Sequence, residues 1–229
     1  MLAKLAGILF VFLLVAGVPA LSFLTARRPQ LRSIPRLDLY LSAIISQWIL
    51  AALGALVVLA AGPGFRATGF RAIAALACVR WAILLTGVAL AALGLVLLLE
   101  HLGWWPEEHE LVRLLLPETR REKLWAVLTL APTAALCEEF LYRGYLLAQL
   151  GQWMRITPWA WVWSSVAFGM AHAYQGWNGM VRAALLGGLL AYPMVHLGSL
   201  YPSMVAHFLI DALALAWLGP AFLGRKANS

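Results

Sequence analysis

Three acidic residues of this 229-residue chain, Glu138, Glu139 and Asp211, fall inside stretches otherwise dominated by Leu, Ala, Val and Phe. The other seven acids (Asp38, Glu100, Glu107, Glu108, Glu110, Glu118 and Glu122) sit in polar gaps or at the edges of apolar runs. A carboxylate at the centre of a bilayer costs about 2.5–3.5 kcal/mol on insertion scales, which a run of about twenty apolar residues can absorb. Such a group must face protein or a water-filled cavity, which makes it a functional candidate. On a helix, Glu139 and Arg143 are one turn apart and should pair. Glu138 lies about a quarter turn away and stays free to accept a proton. Two acids in different environments are the usual basis of an acid/base assignment.

The same four-residue spacing joins Phe168 to His172 and His207 to Asp211. A single histidine on an apolar face is ordinarily a packed core residue. His196, three residues after Pro193, is read that way, and His101 and His109 are read as solvated. What singles out His172 and His207 is their conjunction with three intramembrane carboxylates in the last 100 residues. Hydrolysis of a peptide bond needs a water, a base, and donors aimed at the developing oxyanion. This set contains candidates for each.

The elements that must position these groups are apolar helices. The chain is 63% apolar and 12% charged, whereas soluble domains carry about 25% charged residues. That excludes a cytosolic enzyme, a disordered tail and a nucleic-acid module. The net charge of +7 resides in short gaps between apolar runs, as the positive-inside bias requires. Cys78 and Cys137 are isolated, so there is no disulfide framework and no CxxC motif. Apolar runs occur at 5–24, 37–61, 81–99, 124–149, 156–173, 180–199 and 201–219. The fold class expected is all-α: a polytopic membrane bundle of about seven helices with room for an eighth, forming one transmembrane domain over 1–229.

Two polar islands are expected at the interface: 65–80, with Arg66, Arg71 and Arg80, and 104–123, where Leu111, Leu114 and Leu115 suggest an amphipathic helix. The first run is long enough to be a retained span rather than a signal peptide. Alternating sides collect eleven Lys and Arg against five, which places the C-terminus, with Arg225 and Lys226, in the cytoplasm. Gly169 and Gly187-Gly188 are expected to allow close helix approach around the site. By helix rise, Glu138 and Asp211 fall near the midplane, but His207 and His172 fall toward opposite ends. Tilt, or a broken helix near Pro193, would have to close that gap.

Glu138-Glu139-x-x-x-Arg143, Phe168-x-x-x-His172 and His207-x-x-x-Asp211, in this order inside membrane spans, resemble the three motifs of the CPBP family. That family comprises the CAAX prenyl endoproteases and the bacteriocin-processing (Abi-type) intramembrane proteases. The resemblance covers about residues 124–219, the catalytic core. It implies an all-helical glutamic intramembrane peptidase; the composition looks bacterial, so a bacterial plasma membrane is the expected location. In that reading Glu138 is the general base that activates water, and His172 assists it. His207 and Asp211 stabilise the oxyanion, and Arg143 holds Glu139. The family more often has Asn at the last position, with Asp an accepted variant. An ionised Asp accepts hydrogen bonds only, so Asp211 donates only when protonated, or else orients His207.

Other readings use the same residues. Glu138, His172, His207 and Asp211 could ligate zinc, although no HExxH pair is present. The metal-free reading, without a cofactor, is favoured. A proton-coupled transporter would need an internal repeat, and none is visible. An idle scaffold or immunity protein would not need all three motifs intact. The partners expected are the lipid bilayer and a protein or peptide substrate at the membrane. A peptide precursor or a C-terminal sorting tail is favoured over a prenylated protein.

Overall fold

A computed structural model describes residues 2–61, 64–106 and 110–218. Glu107, Glu108, His109, Arg225 and Lys226, named above, lie outside the described residues. Among the described residues the protein is helical and contains no strand. The helices are α1 (Leu2–Ala26), α2 (Arg36–Ala61), α3 (Ala75–His101), the short α4 (Glu110–Leu115) and α5 (Arg120–Met154). They continue with α6 (Thr157–Ala171), α7 (Gly176–Leu197) and α8 (Tyr201–Leu213), which runs on to Leu218 in a wider turn. Five of the helices are long and apolar enough to cross a membrane: α1, α2, α3, α5 and α7 with its leading turn. The expected runs at 156–173 and 201–219 are the shorter α6 and α8. The protein is an integral membrane protein of polytopic helical architecture.

Local chemistry explains where these helices widen. Proline has no N–H to give to the carbonyl four residues back, so it opens the ladder there. Wide π turns at Leu13–Gly17 in α1 and at Ala126–Leu130 in α5 precede Pro19 and Pro132 accordingly. A third, Glu139–Leu146, has no proline to cause it and begins on the acidic motif itself. Such π segments concentrate at functional sites.

The start of α5 is firmly anchored. Thr119 and Glu122 form a reciprocal capping box. Arg36 at the start of α2 grips both oxygens of Glu118, at 2.9 and 2.5 Å.

Segment 65–80 is not a single element. Residues 64–74 form a loop, and 75–80 are already the first turns of α3. Gly64 and Gly69 adopt φ of 82° and 88°, which breaks any helix there. Between them Thr68 is fully buried, and the Leu200 N–H donates to the Gly69 carbonyl at 2.9 Å. Phe65 and Phe70 close on Phe140 of α5. Most of the segment is exposed, as its arginines suggest, and Thr68, Gly69 and the phenylalanines dock it. In the island 104–123 the helix expected over Leu111, Leu114 and Leu115 is α4 (Glu110–Leu115), and the end of the island is the first turn of α5.

The core falls into two buried clusters. One centres on Phe10, Leu14, Cys137, Leu141, Tyr145 and Phe168, the other on Leu85, Ala89, Leu190, Ala206 and Ile210. Helices α6 and α7 form the tightest pair, and α8 packs against α3 and α5. At Gly169 an added Cβ would stand 2.6 Å from the Met180 carbonyl oxygen and 2.7 Å from Ala184 Cβ, so the α6–α7 crossing requires glycine.

Candidate active site

The motif carboxylates leave α5 in different directions. Glu139 is completely buried, whereas the Glu138 side chain keeps 15% exposure. Arg143 Nη1 lies 3.1 Å from Glu139 Oε1 across one turn. The same guanidinium sits 3.8 Å above the Phe168 ring, and its Nε donates to the Gly187 carbonyl at 3.4 Å. A Cβ at Gly187 would approach Phe168 Cδ1 to 3.1 Å and Arg143 Nη2 to 3.3 Å, so the glycine leaves room for this stack. Burying a guanidinium is tolerable only with a counter-charge and hydrogen bonds, and Glu139, the Phe168 face and a backbone carbonyl share that role.

His172 is the residue on which α6 stops. Its Nδ1 is 2.9 Å from the Phe168 carbonyl oxygen. A carbonyl can only accept, so Nδ1 carries the proton, and Nε2 faces Glu138 Oε2 at 4.0 Å. His207 comes from α8. Its Nδ1 is 2.8 Å from Glu139 Oε1, and its Nε2 faces Glu138 Oε2 at 3.9 Å and Asp211 Oδ2 at 3.5 Å. The expected mismatch in depth is therefore absent: termination of α6 at Ala171 lets His172 reach the level of Glu138.

The structure thus brings Glu138, His172, His207 and Asp211 together from three helices. Glu139, Arg143 and Phe168 lie directly behind them. His196 is elsewhere, its ring stacked on Tyr192 at 4.1 Å. His101 is exposed at the end of α3.

Two contacts escape a reading of the sequence. One is the hydrogen bond from His207 to Glu139, which gives that acid a second partner beside Arg143. The residues are 68 apart in sequence, and no spacing rule connects them. The other is Gln47 of α2, whose amide Nε2 donates to Glu138 Oε1 at 2.8 Å. An uncharged polar residue in an apolar run was the available signal.

The site opens onto a cavity of about 620 Å³. Glu138, His172, His207 and Asp211 line it on one side, with Val88, Leu93 and Val96 of α3 also in its wall. It suits an apolar chain whose polar backbone meets the carboxylate. Among the described residues no group of three or more His, Cys, Asp or Glu is placed to hold an ion.

No curated protein and no solved structure matches the chain. Residues 120–213, which hold all three motifs from Glu138 to Asp211, match the family described as type II CAAX prenyl endopeptidase, Rce1-like, within the CAAX protease family that the motifs resemble.

Proposed function

We propose that this protein is an intramembrane endopeptidase in which Glu138 activates a water to hydrolyse a peptide bond of a membrane-associated protein or peptide. The observation that carries the reading is the approach of Glu138 Oε2 to within 4.0 Å of both His172 and His207, at the wall of an apolar cavity. Separations of 3.9–4.0 Å are too long for direct hydrogen bonds and suit a water held between carboxylate and imidazole. Glu138 takes a proton from that water, and His172 Nε2 helps to orient it. The hydroxide oxygen attacks the scissile carbonyl carbon. His207, doubly protonated, gives Nδ1–H to Glu139 and Nε2–H to the oxyanion. The tetrahedral intermediate collapses, the C–N bond breaks, and the proton on Glu138 passes to the departing amine.

In this reading Asp211 keeps His207 aligned across one turn of α8, and Glu139 with Arg143 forms the rigid backing. The reaction needs no metal ion. The substrate presents an apolar segment beside the scissile bond, as a peptide precursor, a sorting tail or a lipidated C-terminus does. In this reading the C-terminus of the chain is cytoplasmic, a topology that the distribution of Lys and Arg supports.

The test is cleavage in proteoliposomes of an internally quenched peptide with an apolar anchor, supplied as an S-farnesylated CAAX form and as an unmodified transmembrane-tail form. Wild type is expected to cleave at least one form, with or without chelator. Glu138→Gln is expected to be inactive while remaining folded. Equal cleavage by Glu138→Gln, or wild type inert toward both forms, contradicts the proposal.

A further inference from the structure

Gln47 lies in α2, outside the segment 120–213 that matches the peptidase family. It nevertheless makes the 2.8 Å hydrogen bond to Glu138, whose carboxylate is otherwise approached by His172 and His207 only at 4.0 and 3.9 Å. An ionised carboxylate can only accept, so the amide must turn its NH₂ toward Glu138. Its own carbonyl, Oε1, is then buried without a hydrogen-bond partner. A buried polar atom without a partner is destabilising. A leucine of similar size would pack α2 against α5 without that cost. The adjacent residue Trp48 already ties the two helices together, donating from Nε1 to Thr133 Oγ1 at 3.2 Å. Helix docking therefore does not explain the amide.

We propose that Gln47 is a positioning residue for the reaction: its amide fixes one oxygen of Glu138 and so turns the other, Oε2, toward His172 and His207. A carboxylate free to rotate about its last torsion would spend part of its time with neither oxygen aimed at the water. A hydrogen bond from a neutral donor to one oxygen removes that freedom without adding charge to the site. Helix α2 thereby supplies part of the catalytic apparatus although it carries none of the three motifs. The catalytic residue remains Glu138, and Gln47 acts through it.

This proposal rests on the glutamate reading above, and the experiment separates the two. Steady-state kinetics in proteoliposomes, on whichever peptide form wild type cleaves, are compared for wild type, Gln47→Leu, Gln47→Glu, Trp48→Phe and Glu138→Gln. Gln47→Leu is expected to lose about 10–100-fold in kcat, the size of one hydrogen bond to a charged group, with KM changed by less than about threefold. Gln47→Glu keeps the shape but offers no donor when ionised, and it too should lose kcat; it decides the matter if the leucine variant fails to fold. Trp48→Phe removes an α2–α5 hydrogen bond without touching Glu138 and should retain wild-type kcat. Wild-type kcat in both Gln47 variants, a loss confined to KM, or an equal loss in Trp48→Phe overturns the positioning role. If Glu138→Gln is inactive at the same time, the glutamate reading still stands. An active Glu138→Gln, or an inert wild type, overturns both.

Discussion

Helices α2 and α5 are both long and apolar enough to cross a membrane, yet they are built on different terms. Half (50%) of the most apolar stretch of α5 is buried within the protein, against 17% for α2 and 22% each for α1 and α3. The outer helices present rows of large apolar side chains to their surroundings, Leu53, Leu56 and Leu59 on α2 among them. For them, hydropathy is nearly the whole specification, because lipid accepts any apolar side chain. Helix α5 must also satisfy an internal ion pair, several interhelical hydrogen bonds and a wide turn at Glu139–Leu146. A position in α5 is therefore constrained by particular partners, and a position on the lipid face of α2 by polarity alone. Gln47 is where the two regimes meet.

The largest expected effect breaks the buried backing of α5. Glu139→Gln leaves Arg143 without its counter-charge at a site with no water to replace it, and also weakens the hold on His207. Breaking such a buried pair costs about 3–5 kcal/mol. The bond to Gly187 and the Phe168 face should keep the loss toward the lower end. Thermal denaturation in detergent should show a clearly lowered midpoint, and activity should fall with it. A midpoint unchanged from wild type would remove the distinction drawn between the two kinds of helix.

An effect on rate rather than on stability is expected at Asp211, which is 30% exposed and stands 3.5 Å from His207 Nε2. Asp211→Ala should lower the cleavage rate by up to about 10²–10³, the cost of losing an oxyanion-hole donor, because it frees the His207 that supplies that donor. Asp211→Asn retains a polar group at the same place and should keep substantial activity, in the presence of chelator as well. A sharp loss in Asp211→Asn, together with a chelator-sensitive wild type, would instead favour metal ligation by these residues. The smallest effect sharpens the contrast from the other side. Leu56→Ala, at a residue 61% exposed on α2, should change stability by less than about 0.5 kcal/mol. A shift like that of Glu139→Gln would mean that the face is covered by protein.

Much of this contrast is legible in the sequence, and the rest fails for identifiable reasons. Run lengths give the long helices to within about six residues at each end, because burying an unpaired backbone in lipid is prohibitive and leaves helix as the only option. The Glu139–Arg143 pair follows from one helical turn. How the loop 64–74 docks is not legible, because it depends on Thr68, Gly69 and flanking phenylalanines, whose role appears only once Leu200 and Phe140 are beside them. The gathering of His172 and His207 around Glu138 depends on where α6 stops and how α8 packs, and composition encodes neither. Gln47 is overlooked for a simpler reason: an amide carries no charge, so its presence in an apolar run looks inexpensive.

The claim that the three motifs meet at one place inside the membrane can be tested without knowing the substrate. Cysteines at positions 172 and 207, in a protein whose Cys78 and Cys137 are replaced by alanine, are treated in native membranes with thiol cross-linkers of graded length. Both native histidines approach the same oxygen of Glu138, at 4.0 and 3.9 Å, so the shortest reagents should join the pair efficiently. A control pair at positions 56 and 207, with Leu56 on the exposed face of α2, should not be joined by them. Failure to cross-link 172 to 207 at every reagent length, in protein shown to be folded, would contradict the site described above.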